Sequence, residues 1–91
     1  MRFEWSPDKA AANLAKHKVS FDEACTVFGD PHAVTIDDPD SSANENRLLT
    51  KGMSQGWKLL VVAHTYEEGL IRIISARRTT KRERRQYESE G

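Results

Sequence analysis

The stretch that decides the fold is residues 57–78, WKLLVVAHTYEEGLIRIISARR, which predicts two strands joined by a short turn. Trp57 to Tyr66 is almost continuously apolar at its centre, a pattern typical of a central strand that is buried on both faces. Glu67-Glu68-Gly69 predicts a three-residue hairpin connection, because its glycine can adopt the left-handed conformation. Leu70 to Arg77 then returns antiparallel to the first strand.

The register of this hairpin decides which side chains share a face of the sheet. If Tyr66 lies opposite Leu70, then His64 lies opposite Arg72, and the more apolar face on the other side receives the helices. A neighbouring cation lowers the pKa of a histidine and favours the neutral imidazole, which can act as a base. The alternative is that His64 is a structural residue hydrogen-bonded to a neighbour, and the sequence leaves both interpretations open.

Two helices are predicted before the strands. Ser6-Pro7 suits a helix start, and the alanine-rich run that follows it to Lys16 favours helix. Ser20 and Glu23 form the S-x-x-E capping box of a second helix, which ends at Gly29-Asp30-Pro31.

The remaining segments complete the predicted topology. Further strands are expected at 3–5, 33–36 and 47–50, with a turn-forming loop at 37–42. Thr80 and Glu83 form another capping box, which opens a helix that runs to about Glu88. The expected order is β-α-α-β-β-β-β-α, an α+β fold whose antiparallel sheet carries the two N-terminal helices on one face. We expect residues 1–91 to form a single domain.

Composition excludes several classes of protein. No apolar run approaches the ~20 residues that a membrane span requires, and the N-terminal residues lack the apolar segment of a signal peptide. A cytoplasmic location without membrane contact is therefore expected. Cys25 has no partner for an internal disulfide, and the dispersed histidines form no metal-binding pair. No nucleotide-binding glycine motif is present, so we expect neither a metal nor a cofactor.

The charges are distributed unevenly, although the net charge is zero. Residues 1–46 hold four Lys or Arg against nine Asp or Glu, whereas residues 47–91 hold ten against five. The arginine cluster around Arg77 and Arg78 lies between a strand end and a helix N-terminus, and both guanidinium forks and free N–H groups suit phosphate. The alternative is a solvated helix face. Trp57 and Tyr87 either stack on bases or belong to the edge of the core.

Three segments together carry a more specific pattern. They are Phe3-Glu4-Trp5 followed by Lys16-His17 and residues 19–24, the Arg47-Leu48 strand leading into residues 60–65, and Ile71 to Arg78 followed by Glu83-Arg84 and Tyr87-Glu88. In this order they resemble the BrnT family of bacterial type II toxins, which have a RelE/ParE-like fold and act as ribonucleases. This chain has Lys18 where the family typically has glycine. We expect a differently shaped helix corner there, since a left-handed residue other than glycine costs about 1 kcal/mol.

The resemblance implies metal-independent RNA cleavage and inhibition of translation and growth. It also implies neutralisation by a BrnA-like antitoxin in a heterotetramer with two toxins, which contacts operator DNA through the antitoxin. Cleavage without a metal requires a base for the ribose 2′-OH, cations for the developing phosphorane charge, and an acid for the leaving 5′-oxygen.

These requirements assign roles to particular residues. Arg72 and Arg77 are expected to stabilise charge, His64 to act as base or acid, and Lys16 and His17 to contribute if the helix corner faces the sheet. Arg47 is expected to position a phosphate, unless it only pairs with Glu45. The other expected RNA contacts are Arg78, Lys81, Arg82, Arg85 and Tyr87. Two alternatives remain open, a ParE-like toxin that binds its target without cleaving and a plain nucleic-acid-binding module.

Overall fold

The computed structural model describes residues 1–40 and 46–90. The predicted order of elements is confirmed. Among the described helices, none combines the length and apolarity needed to cross a membrane. Glu45 and the end of the predicted 37–42 loop lie outside the described residues. The elements are β1 (Arg2–Glu4), α1 (Pro7–His17), α2 (Phe21–Thr26) with a 3-10 turn (Val27–Gly29), β2 (Val34–Asp37), β3 (Arg47–Met53), β4 (Leu59–Glu67), β5 (Leu70–Arg78) and α3 (Lys81–Glu90).

The strands form one sheet in the order β1-β5-β4-β3-β2. β2, β3, β4 and β5 pair antiparallel, but β1 runs parallel to β5. The prediction of an antiparallel sheet is therefore wrong, and the sheet is mixed. A three-residue strand carries no sequence signal for its direction, and β1 pairs with a strand from the other end of the chain.

The hairpin between β4 and β5 has a shorter turn than predicted. Glu67 pairs with Leu70, which leaves Glu68 and Gly69 as the loop. Both loop residues have positive φ angles, 51° and 82°, as the two-residue type I′ turn requires. The prediction of a three-residue connection is wrong because Glu68 also adopts the left-handed conformation.

This one-residue difference exchanges the two faces of β4, while β5 keeps the predicted orientation. His64 lies opposite Ile73, and Thr65 lies opposite Arg72, so the predicted pairing of His64 with Arg72 is wrong. A shift of register at Ala63/His64 leaves Ile74 as an extra residue on β5.

β4 is the central strand, as predicted, and every residue from Leu59 to His64 is buried. The two N-terminal helices pack on one face of the sheet, which is also confirmed. Phe21 and Ala24 of α2, with 2% and 0% exposure, fill the space between this layer and the sheet. The sheet side of this core comprises Leu60, Val62, Ile71, Ile73 and Ala76.

The corner between α1 and α2 keeps the left-handed conformation without glycine. Lys18 has φ 61°, and its N–H donates to the Leu14 carbonyl at 3.0 Å. The expectation of a differently shaped corner is therefore wrong. Asn13 fixes the corner, since its Nδ2 donates to the carbonyls of Val19 and Ala76, each at 2.9 Å. Val19 itself is fully buried. These contacts outweigh the ~1 kcal/mol cost of the conformation.

α3 lies against the other face of the sheet and has no buried residue in its described part. Its predicted capping box is confirmed, since the Glu83 N–H donates to Thr80 Oγ1 and the Thr80 N–H to Glu83 Oε1. Among the described residues, three polar contacts, which we call the α3 latch, join it to the rest of the protein. They are Glu83 with Arg77, Gln86 with Lys51 and Tyr87 with Asp30.

Candidate functional site

The face of the sheet opposite α1 and α2 carries a row of polar side chains, Arg47, Thr65 and Arg72, which we call the arginine row. These residues are cross-strand neighbours on β3, β4 and β5. Since adjacent strands lie about 4.8 Å apart, the two arginines are separated by roughly 10 Å at Cα. The sequence prediction missed this row because it depends on the true register of the hairpin.

Arg72 is available to an anionic ligand. Its side chain is 48% exposed and lies 3.2 Å from the equally exposed carboxylate of Glu4 on β1. Exposed ion pairs of this kind contribute little free energy, so a phosphate can replace Glu4 at small cost. Arg47 is half-buried at the other end of the row.

His64 lies on the opposite face, inside the core. Its side chain is 3% exposed, and Nε2 is 2.8 Å from Thr50 Oγ1, which is itself 2.7 Å from Thr35 Oγ1. The ring meets Phe28 edge-on at 4.9 Å between centroids. Burial lowers the pKa of His64 and so favours the neutral ring. This position fits the structural interpretation of His64.

Arg77 is held by an acidic partner. Its guanidinium makes two parallel bonds to the Glu83 carboxylate, at 2.8 and 2.9 Å. The hydrogen bond to Arg77 is the main reason that the pKa of Glu83 falls to about 2, and the same bond raises the pKa of Arg77. Five residues of strand separate Arg77 from Arg72, or roughly 15 Å. In this structure the Arg77 guanidinium is bonded to Glu83 and fixes α3.

Lys16 and His17 lie beside the sheet, as their predicted role requires. With Ile74 and Ser75 they line an open cavity of about 250 Å³ between α1 and β5, which we call the corner cavity. β1 pairs with β5 only as far as Arg72, so the cavity begins where β1 ends. Arg72 and Ser75 are three residues apart, or roughly 10 Å along the strand. Lys16 and His17 thus border the edge of β5 from the side of α1, whereas the Arg72 side chain belongs to the open face of the sheet.

The remaining predicted RNA contacts are dispersed. Arg78 ends β5 opposite Leu60, on the helical side of the sheet, and is exposed. Lys81, Arg82 and Arg85 are exposed on α3. Tyr87 donates its hydroxyl to Asp30 at 2.5 Å, and burial together with this bond raises its pKa to about 12. Tyr87 therefore anchors α3.

Sequence reasoning placed Trp57 among candidate aromatics but gave no reason to expect its environment. The ring is 84% exposed and borders an open cavity of about 490 Å³. The signal that could have indicated a turn at this point is the preceding polar and glycine sequence, Ser54-Gln55-Gly56. Within the described ranges, no three His, Cys, Asp or Glu side chains gather in a way that suits a metal ion.

Comparison with known proteins identifies the family. A sequence model described as "Ribonuclease toxin, BrnT, of type II toxin-antitoxin system" matches residues 5–83. The fold is similar to the 1.1 Å crystal structure of the Brucella abortus ribonuclease toxin BrnT, with a TM-score of 0.67 and 21% identity over 89% of this chain and 99% of that one. No curated protein gives a significant match. Because the family match spans most of its length, this chain belongs to the BrnT family of ribonuclease toxins of type II toxin–antitoxin systems.

Proposed function

We propose that this protein is an endoribonuclease that cleaves RNA without a metal ion and thereby inhibits translation and growth. Its membership of a ribonuclease toxin family supports the choice of reaction. The observation that carries the proposal is that the exposed Arg72, on the open face, and the corner cavity with Lys16 and His17, on the side of α1, adjoin the same edge of β5, around which an RNA strand can pass. In this proposal residues 1–91 act as one toxin domain with a RelE/ParE-like fold.

The proposed chemistry divides three tasks among these residues. His17 takes the proton of the ribose 2′-OH, since imidazole is the side chain that gains and loses a proton near neutral pH. The oxygen then attacks the adjacent phosphorus to give a cyclic phosphate. Arg72, with Arg47 along the row, stabilises the negative charge that develops on phosphorus. Lys16 donates a proton to the leaving 5′-oxygen.

Two residues that the sequence analysis expected to take part in catalysis receive other roles in this proposal. His64 is 3% exposed, so we assign it to the core rather than to proton transfer. Arg77 is occupied by Glu83 and acts as a positioning residue for α3. The exposed cations Arg78, Lys81, Arg82 and Arg85 provide further charge for the RNA backbone, on which affinity for nucleic acid largely depends.

A type II toxin–antitoxin family implies an antitoxin partner. We propose that this partner is BrnA-like and forms a heterotetramer with two copies of the toxin. The antitoxin would neutralise the toxin and contact operator DNA in the cytoplasm.

The proposal is tested by incubating the purified chain with RNA in EDTA. We expect products with 2′,3′-cyclic phosphate ends. Arg72→Gln and His17→Gln should each lower the cleavage rate at least ~100-fold, because each removes a group used in the transition state. Arg84→Gln is the matched control, since Arg84 is an exposed arginine on α3 that lies 3.9 Å from the exposed carboxylate of Glu88.

The results separate the candidate functions. Intact RNA with a folded wild-type chain would overturn the nuclease and favour a toxin that acts by binding. Cleavage that is retained by Arg72→Gln would remove Arg72 from the site. Cleavage that is lost only in EDTA and restored by a divalent cation would contradict metal independence.

A further inference from the structure

We propose that Trp57 and the cavity beside it form a second contact for the RNA, a subsite where an unpaired nucleobase stacks on the indole ring. This inference rests on the proposed ribonuclease function. It adds recognition of an unpaired nucleobase, which the arginine row and the corner cavity do not provide. Trp57 is 84% exposed and is the most exposed large apolar residue in the part of the chain that the structure describes. Its φ angle is 62°, in the left-handed region that bulky residues rarely adopt.

The turn that carries Trp57 is held rigidly by α2. Ser54 Oγ donates to Glu23 Oε2 at 2.6 Å and accepts from the Lys58 N–H at 3.1 Å. The Gln55 N–H donates to Thr26 Oγ1 at 2.9 Å. These bonds fix the backbone on both sides of Trp57.

The turn approaches α2 closely at Gly56. A Cβ at position 56 would lie 2.6 Å from Glu23 Oε2, so a larger residue there would displace the carboxylate that accepts from Ser54. Trp57, the next residue, bears the left-handed conformation, where a glycine would cost less. Strained residues that are fixed by their surroundings occur preferentially at ligand contacts. The turn therefore presents an aromatic ring to solvent from a fixed backbone.

The cavity of about 490 Å³ beside Trp57 suits a planar heterocycle. Tyr87, His32 and Gln55 also line it, so aromatic surface and polar edges lie together. Asp30 lines it as well, but its two carboxylate oxygens already accept from the Met53 N–H, the His32 N–H and the Tyr87 hydroxyl. A nucleobase in the cavity therefore meets a carboxylate whose oxygens already accept three hydrogen bonds.

The surrounding cations favour a polyanion as the occupant. Arg78 is exposed and pairs across the sheet with Leu60, three residues beyond Trp57, or roughly 10 Å along the strand. Lys58 follows Trp57 in the chain. The nearby carboxylate of Glu23 is already bonded to Ser54 and Lys58. A nucleotide can thus place its base on Trp57 and an adjacent phosphate near Arg78. Base–aromatic stacking with basic residues nearby is the usual way in which proteins hold single strands.

The subsite lies at the end of β4 that is remote from the arginine row. Leu59 begins the strand beside the turn, and Thr65 of the row lies six residues further, or roughly 20 Å. A long RNA can reach both places, whereas a dinucleotide cannot. Comparison of long and short substrates therefore distinguishes binding at the subsite from the cleavage step.

The test compares Trp57→Gly and Trp57→Phe with the wild type. Binding is measured by anisotropy with a labelled single-stranded 2′-deoxy oligonucleotide of about twelve residues, which cannot be cleaved through a 2′-OH. Trp57→Gly should weaken binding about 5- to 150-fold, the range expected for loss of one stacked base, while Trp57→Phe stays within a few-fold of wild type. With RNA, KM should rise similarly in Trp57→Gly, and the rate of dinucleotide cleavage should not change.

A structural control accompanies these measurements. Trp57→Gly should raise the melting temperature, because glycine relieves the positive φ angle. A more stable variant that binds less tightly cannot be explained by misfolding. Unchanged oligonucleotide affinity in Trp57→Gly would overturn the subsite.

Two further outcomes have defined meanings. If Trp57→Gly binds and cleaves RNA normally but is no longer neutralised by the antitoxin, Trp57 is a protein contact and the nucleobase proposal fails. If the wild type binds the oligonucleotide through Trp57 but cleaves no RNA, the subsite stands as a nucleic-acid contact and only the nuclease proposal fails.

Discussion

The N-terminal helices and the C-terminal helix cover opposite faces of one sheet, but different forces hold them there. α1 and α2 bury apolar side chains, of which Phe21 and Ala24 are 2% and 0% exposed. α3 buries none of its described residues and is attached through the α3 latch. The first region is stabilised by removal of apolar surface from water, the second by charge and hydrogen bonding.

The difference teaches that the two layers have separate stabilities. Apolar burial is not weakened by electrostatic screening, and we expect α1 and α2 to unfold as one cooperative unit with the sheet. Polar contacts at the surface are screened by salt and weakened by competing water, so α3 is expected to open locally without unfolding the core. Because α3 carries several of the basic residues proposed to contact RNA, its opening also changes the charge beside the active surface.

Removal of a core ring gives the largest expected effect. Phe21→Ala should lower the free energy of unfolding by about 3–5 kcal/mol, since it removes a side chain that is 2% exposed and leaves a cavity. Urea denaturation followed by circular dichroism measures the change. Leu14→Ala is the control, since Leu14 is 50% exposed and its loss should cost less than ~0.5 kcal/mol. Equal losses for the two variants would contradict the described core.

Removal of the latch carboxylate should have a smaller and local effect. Glu83→Ala breaks the paired bonds to Arg77 and the bond from the Thr80 N–H. Because Arg77 is 40% exposed and solvent screens the pair, we expect a loss of about 1–2 kcal/mol. Hydrogen exchange should become faster in α3 and remain unchanged in β4. Arg84→Gln should change neither, and uniform acceleration along the chain would show that α3 is part of the core unit.

The core and the α3 latch should lose stability in different ranges of pH. Burial lowers the pKa of His64 from its usual 6.5, so the folded chain binds fewer protons than the unfolded chain, and stability falls as pH drops below 6.5. The loss is at most about 1.4 kcal/mol for the first pH unit. The pKa of Glu83 is about 2 against a usual 4.5, so the latch is intact above 4.5 and is lost between 4.5 and 2.

Melting temperatures measured from pH 7.5 to 5.5 test this order. His64→Gln should remove the slope in that interval, because glutamine does not titrate. Hydrogen exchange in α3, corrected for its intrinsic pH dependence, should change only below pH 4.5, as Glu83 becomes protonated. A wild-type melting temperature that is constant down to pH 5.5 would contradict the assigned environment of His64.

The parts of the fold that depend on apolar periodicity and helix capping could be predicted from the sequence. The central strand at Leu59–His64, the caps at Ser6, Ser20 and Thr80, and the order of elements all follow local rules. The direction of β1 and the turn at Glu68-Gly69 could not, since both depend on contacts or conformations that neighbouring residues do not specify.

The candidate site was less predictable because one register error misplaced His64. Two-residue and three-residue loops are both compatible with Glu67-Glu68-Gly69, and the choice between them moved His64 into the core, while Arg72 stays on the face that was predicted for it. Lys16 and His17 were identified from the family resemblance, and only the packing of α1 on β5 shows that they border the sheet. The occupation of Arg77 by Glu83 required knowledge of where α3 begins.

The amide of Asn13 has a consequence for how this protein behaves at high concentration. Beyond Arg72 the outer edge of β5 has no strand partner among the described residues. Asn13 Oδ1 accepts from the Ala76 N–H at 3.0 Å, and its Nδ2 donates to the Ala76 carbonyl, the pair of bonds that another strand would make. One helical side chain thus blocks a template on which a second chain could assemble, which guards a sheet against aggregation.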